Sequence, residues 1–196
     1  MLFRISIILV CLIAFITGCN SLVSQFAGTH RLRSYAIEEI EFEGAGDADY
    51  LEIRGGWQTG DFVYGKPRKA GQKGIIQYPV VGEARLEKRD RGTAIPVSVI
   101  VWQALPDPAC VASASCAEKK ETLIRGIVRR IPPRGNELEA LTRKGYLLAE
   151  NVVFIEAGQA PIAWYWLVLI MLAAAILAIG MEWRYLQQLT LDLRVD

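Results

Sequence analysis

Cys110 and Cys116, with five residues between them, sit in a stretch from 104 to 121 that carries neither a strand nor a helix pattern. Structureless loops of that length are uncommon inside compact domains, so something should restrain this one. A Cys110 to Cys116 disulfide, formed in an oxidising compartment, is the expected restraint, with two free thiols as the alternative. The spacing is not the CxxC of a redox pair, and two sulfurs do not complete a zinc shell. The one histidine, His30, leaves no multi-His metal site within a single chain. No cofactor is expected.

Other groups capable of chemistry are plentiful but not arranged for it. Glu39, Glu41 and Glu43 read first as the wet face of a strand. Gly44-Ala45-Gly46 and Gly71-Gln72-Lys73-Gly74 lack the strand, loop and helix order and the Lys-Ser/Thr ending of a phosphate loop. No nucleophile stands with a base in a recognisable frame, and the expectation is a non-catalytic protein. Charge is segregated along the chain. Residues 36 to 56 are acidic, whereas Lys66, Arg68, Lys69 and Lys73 and then Arg85, Lys88, Arg89 and Arg91 are basic. The second group is a candidate basic patch for anionic headgroups or an acidic partner, worth up to about 1 kcal/mol per charge beside an anionic membrane. Solvated faces and turns are the alternative, and Arg125, Arg129, Arg130 and Arg134 carry the same ambiguity. A formal net charge of +1 gives no case for a nucleic acid partner.

The elements that must position these groups read mainly as β. Residues 36 to 43 alternate Glu with Ile40 and Phe42, which predicts a half-buried strand paired as a hairpin with residues 50 to 54. Gly55-Gly56 is placed to host a bulge. Further strands are expected at 74–81, 84–88, 95–103, 122–131 and 146–156, with a turn at Arg89-Asp90-Arg91-Gly92. One short helix bearing Leu138 and Leu141, capped by Asn136 and stopped by Gly145, should precede the last strand. Short strands separated by turns suggest a small OB-like barrel, with an open α+β mixed sheet as the alternative.

Both ends are apolar. Residues 161 to 181 carry no charge and are long enough to cross a hydrocarbon core about 30 Å thick. Trp164, Tyr165 and Trp166 mark one interface of that span, and Trp183 with Tyr185 the other. At the N-terminus Arg4 precedes the apolar run Ile5 to Ile16, which closes with Ile16-Thr17-Gly18-Cys19. Residues 1 to 23 are therefore either an uncleaved signal anchor or a lipoprotein signal peptide. The second fate rests on the tetrad, which resembles the bacterial lipobox. That resemblance implies that Cys19 receives a diacylglycerol thioether and becomes the new N-terminus.

Either fate exports the middle of the chain. The expected organisation is a linker at 24–35, an exported β-rich domain at 36–158, the membrane helix at 161–181 and a cytoplasmic tail at 182–196, in a cell membrane of bacterial inner-membrane type. Small residues on the second span, Ala173, Ala174, Ala175, Ala178 and Gly180, permit close helix packing. The expected partners are membrane lipid and other membrane proteins, with the β-domain as an assembly factor or structural subunit. A ligand-binding or enzymatic barrel and a membrane sensor are the competing readings. The order of anchor, β-domain and anchor resembles that of the Surf-type oxidase assembly factors, in topology and not in residues.

Overall fold

The computed structural model describes residues 2–65, 73–104, 109–113, 115–130 and 135–192. Lys66, Arg68, Lys69 and Arg134 lie outside the described residues, as does the side chain of Asn136 that was expected to cap a helix. In chain order the elements are α1 (Leu2–Ala27), β1 (Arg33–Ala36), α2 (Ile37–Glu43), β2 (Tyr50–Gln58), β3 (Val63–Gly65), β4 (Ile75–Val81) and α3 (Glu83–Asp90). Then follow β5 (Ile95–Ala104), α4 (Ala109–Ala112), β6 (Lys120–Arg129), α5 (Gly135–Arg143), β7 (Tyr146–Ala157) and α6 (Trp164–Asp192). They form two units, one of Met1–His30 with Pro161–Asp196 and one of Arg31–Ala160.

The second unit is a closed five-strand mixed barrel. β2 pairs with β6, β6 with β7, β7 with β5, β5 with β4, and β4 closes back on β2. Only the β5 and β7 contact within this ring is parallel. The mixed sheet anticipated as an alternative is present, but it is closed rather than open. β1 adds in parallel along the outer edge of β2, and β3 folds back on β4.

Closure depends on the glycines of β2. Leu51 to Arg54 give one edge of the strand to β1, and Trp57 with Gln58 give the same edge to β4. The change of partner falls at the register shift between Ile53 and Gly56, where Gly55 takes φ +70°. An extra residue in one strand bends and twists it, which is how a strand is re-aimed to a new neighbour. Gly56 must also lack a side chain, because a Cβ there would lie 2.7 Å from Val80 Cγ1.

Inward-facing aliphatic residues fill the barrel. Leu51, Ile53, Ile76, Val80, Val99, Val101, Ile124 and Ile155 form its centre, with Tyr78 among them. A second core lies outside the ring, where Leu86 of α3 and Leu141 of α5 cover Val81, Ile95, Val97, Ile100 and Tyr146. Both cores follow from alternation: neighbouring positions on β5, such as Val99 and Ile100, serve different sides of the same strand.

Two expected strands are helices, and with the short α4, in a stretch expected to carry neither pattern, the unit has four helices among the described residues and not one. Residues 37 to 43 form α2, in which Ile37 and Ile40 are fully buried while Phe42 is 87% exposed. The strand reading placed Ile40 and Phe42 together inside; burial at i and i+3 is helical spacing. The Glu39 carboxylate accepts the Ala36 amide at 2.9 Å, and Gly44 ends the helix at φ +76°. Residues 84 to 88 lie in α3, whose one buried side chain is Leu86. The turn signal at Arg91-Gly92 is real, but it terminates that helix: the Gly92 amide donates to the Arg89 carbonyl.

The first unit is a pair of antiparallel helices, since Arg4 near the start of α1 meets Glu182 late in α6, and Gln25 near the end of α1 meets Ile162 just before α6. Both helices are long and apolar enough to cross a membrane. α6 continues to Asp192, beyond the boundary at 181 that charge alone suggested.

Gly126 gives a direct test of ring closure. A Cβ there would lie 2.2 Å from the Glu156 carbonyl oxygen, a backbone atom that cannot move without parting β6 from β7. Gly126→Ala should lower unfolding stability by about 3 kcal/mol. Gly92→Ala, where φ is +78° and the space is open, should lose about 1 kcal/mol. Denaturant melts of the two variants check the ranking.

Candidate functional site

The carboxylate of Asp61, in the connection between β2 and β3, gathers donors from three residues. It accepts the Tyr146 hydroxyl at 2.6 Å and Arg89 Nη2 at 3.2 Å, and Lys144 Nζ lies 3.3 Å away. The Tyr146 ring is wholly buried, and its oxygen is also 2.8 Å from Thr59 Oγ1. A phenol has one proton, which goes to the charged acceptor, so Thr59 donates to Tyr146. Arg89 comes from α3, donates also to the Lys144 carbonyl at 2.6 Å, and stands 4.8 Å over the Tyr146 ring. One carboxylate thus joins the end of β2, α3 and the turn into β7.

Burial pushes Asp61 upward, but the Tyr146 hydroxyl, Arg89 and Lys144 together outweigh it and hold the carboxyl below its usual range. Burial, then the Asp61 charge, pushes the Tyr146 phenol up. The pair is fixed as an anion and a protonated phenol, which is the arrangement of a structural clasp.

Glu41, Glu52 and several arginines also find partners inside the fold. Glu41 of α2, with a nearly buried side chain, accepts the Gly82 amide at 2.9 Å at the start of α3 and lies 3.1 Å from Arg85 Nε. Burial raises Glu41, opposed by the Gly82 amide and Arg85. Glu52 is buried between Arg125 at 2.6 Å and Arg54 at 3.0 Å. The acidic and basic runs of the sequence therefore cancel one another locally. Of the candidate basic patch, Arg85 is held by Glu41, the Pro96 carbonyl and Ser98, and Arg89 by Asp61. Lys88 and Arg91 stay at the surface, Arg91 3.5 Å from Glu87.

Cys110 and Cys116 lie at disulfide distance, with sulfurs 2.08 Å apart. Both cysteines, with Val111 and Ala117, pack on the barrel core beside Phe62 and Tyr64. Lys119 pairs with Asp90, a second tie from this loop to the body of the domain. Tyr78 points into the same core, and burial pushes its phenol up to about 12 despite a hydrogen bond with Gln58.

A surface groove of about 470 Å³ runs between the turn after α2 and the strands β6 and β7. Glu43, Gly44, Arg129, Arg130, Asn151 and Phe154 are among its walls. Arg129 is paired with Glu156, and Arg130 lies 3.5 Å from Asp49. Exposed apolar side chains on the unit include Phe42, Leu123 and Leu147.

In the helix pair, Cys19 lies in the body of α1 with its sulfur 3.5 Å from Met171 Sδ. Trp164, Tyr165 and Trp166 are exposed in the first turn of α6, as is Trp183 near its end. Tyr185 carries the Arg4 guanidinium 3.6 Å above its ring.

The sequence did not point to Asp61, Tyr146 or Glu52 as connected groups. Their partners stand 85 and 73 residues away, and no local pattern links such positions. Comparison with protein-family models, curated proteins and solved structures finds no match for this chain.

Two outcomes follow for the clasp and the loop. Asp61→Ala should cost about 2 kcal/mol, the scale of leaving buried donors unpaired. Because folding lowers the Asp61 pKa, its contribution is complete above the unfolded value of about 4 and fades as pH falls through the folded value. Acid titration of stability should therefore be steeper below pH about 4 in the native chain than in Asp61→Asn. Cys110→Ser with Cys116→Ser should lower stability by about 2 kcal/mol through the entropy of the opened loop, measured by thermal melts with and without reductant.

Proposed function

We propose that this chain is a membrane-anchored envelope protein whose barrel is OB-like and binds other membrane proteins as an assembly factor or structural subunit. The observation that carries the reading is the filled barrel: aliphatic side chains and Tyr78 occupy its interior, which leaves the outer surface for recognition. There the exposed Phe42, Leu123 and Leu147 and the groove beside Arg130 offer apolar contact next to charge, the composition of protein-binding surfaces. The clustered carboxylates and cations are engaged with one another, which favours a rigid binding body. The OB-like description is supported by a closed ring of five strands whose last strand returns beside the third in parallel.

The barrel is proposed to sit on the outer side of the membrane, with both chain ends cytoplasmic. Arg4, just ahead of the apolar run, supports this orientation, and an oxidising outer compartment suits the Cys110 and Cys116 pair. Membrane lipid is then a partner of both helices, with Trp164, Tyr165, Trp166, Trp183 and Tyr185 of α6 at the headgroup level. The groove favours a second reading, a tethered ligand-binding module, because its volume falls in the range of small-molecule sites.

The test is crosslinking in intact membranes followed by mild detergent extraction and affinity capture of the full chain. Specific membrane proteins should be recovered, and Phe42→Glu or Leu147→Glu should reduce their yield at least about tenfold while leaving the melt unchanged, the loss expected for one interface anchor. Recovery of the chain alone would remove the assembly reading.

A further inference from the structure

The sequence leaves residues 1 to 23 with two fates, a retained anchor or a signal cleaved ahead of an acylated Cys19. The helix pair carries a decision between them. α1 meets α6 along a seam formed by Cys11 and Gly18 on one side and Leu167, Met171 and Ala174 on the other. These positions recur at three, four and seven residues, so each set lies on one face of its helix. Cys11, Leu167 and Ala174 are buried although most of each helix is exposed.

Gly18 marks a close approach of the two helices. A Cβ there would lie 2.6 Å from Met171 Cγ and 3.7 Å from the Leu167 carbonyl oxygen, so even alanine would have to displace the Met171 side chain. Small residues are what let membrane helices pack at this range. The neighbouring Cys19 thiol, 3.5 Å from Met171 Sδ, is directed at the partner helix. Both ends of the pair are tied by polar contacts. Arg4 Nη2 lies 2.9 Å from each carboxylate oxygen of Glu182, and Gln25 donates to the Ile162 carbonyl. The Arg4 contact with Glu182 is charge-assisted and two-pronged, the stronger kind of such bonds.

Cleavage ahead of Cys19 would remove Arg4, Cys11 and Gly18 together. Glu182 would lose its cation near one end of α6, and the seam would lose most of one side. A glyceryl thioether on Cys19 would compete with Met171 for the same space. We infer that α1 is a permanent transmembrane helix and the fixed partner of α6, and that Ile16-Thr17-Gly18-Cys19 is a helix-packing segment and not a processing site.

The experiment is the intact mass of the full chain captured from membranes through a C-terminal tag, with the native sequence and with Cys19→Ser. A retained anchor gives a mass that includes residues 2–18 in both, at the same abundance. A mature form beginning at Cys19 with an added diacylglycerol, together with a longer precursor accumulating in Cys19→Ser, overturns the inference. Pairing is read separately in Met171→Cys, by oxidising membranes and then cutting the barrel unit with protease. The α1 and α6 fragments should stay joined through Cys19 until reductant is added, and Gly18→Leu should abolish the join. Fragments that separate as freely as in a control with Ile13→Cys, Cys19→Ser and Ile176→Cys, whose thiols stand at two exposed positions and should not join, overturn it as well.

Discussion

A β-strand has two edges, and the barrel depends on how β2 divides them. One edge runs with β6 along most of its length. The other is shared between β1 and β4, and the change takes place across Gly55 and Gly56. Were β2 to continue straight alongside β1, β4 would have no edge to close on, and the sheet would stay open with unpaired amides and carbonyls. The same division brings α2 into the core. α2 follows β1 without a break, so placing β1 on β2 carries Ile37 and Ile40 to the barrel, and the space left by the absent side chain of Gly55 lies against Ile37. Ring, edge strand and α2 are consequences of one bulge.

Electrostatics then tie the outer layer to this ring. Asp61, Glu41 and Glu52 each collect donors from elements far apart in the chain: α3 and the turn into β7 for Asp61, the start of α3 for Glu41, β6 for Glu52. Burying a carboxylate is costly unless it is paired and hydrogen-bonded, and each of these is both. The pairing explains why a chain with strongly acidic and strongly basic runs shows so little of either in the core of its fold. Arg85 and Arg89 are consumed as counter-ions, which splits the patch that their spacing with Lys88 and Arg91 suggested.

In a membrane, which both helices are long and apolar enough to cross, the helix pair would follow different rules. Lipid chains are as apolar as Leu or Ile, so sequestering such residues gives no driving force between helices. What holds the pair is the fit at Gly18 against Met171 and polar contacts at both ends, Arg4 with Glu182 and Gln25 with Ile162. Small and polar residues that would be minor in a water-soluble core are therefore the informative ones here. Cys19, which on its own suggests a chemical fate, is in the structure one more side chain facing that partner.

Features set by short-range chemistry were legible in the sequence. The two apolar spans, the strands ending near Val81, Ala104, Arg129 and Ala157, the helix before the last strand, the bulge at Gly55-Gly56 and the Cys110 and Cys116 pair are all carried by neighbouring residues. Segments 37–43 and 83–90 were not legible as helices. In seven or eight residues rich in Glu and Arg, alternation and helical spacing look alike, and the choice fell to which apolar residues the barrel buries, Ile37, Ile40 and Leu86. The ring order, the clasp at Asp61 and the seam at Gly18 belong to the tertiary structure alone. Each joins residues separated by dozens of positions, and only a closed backbone path brings them within bonding distance.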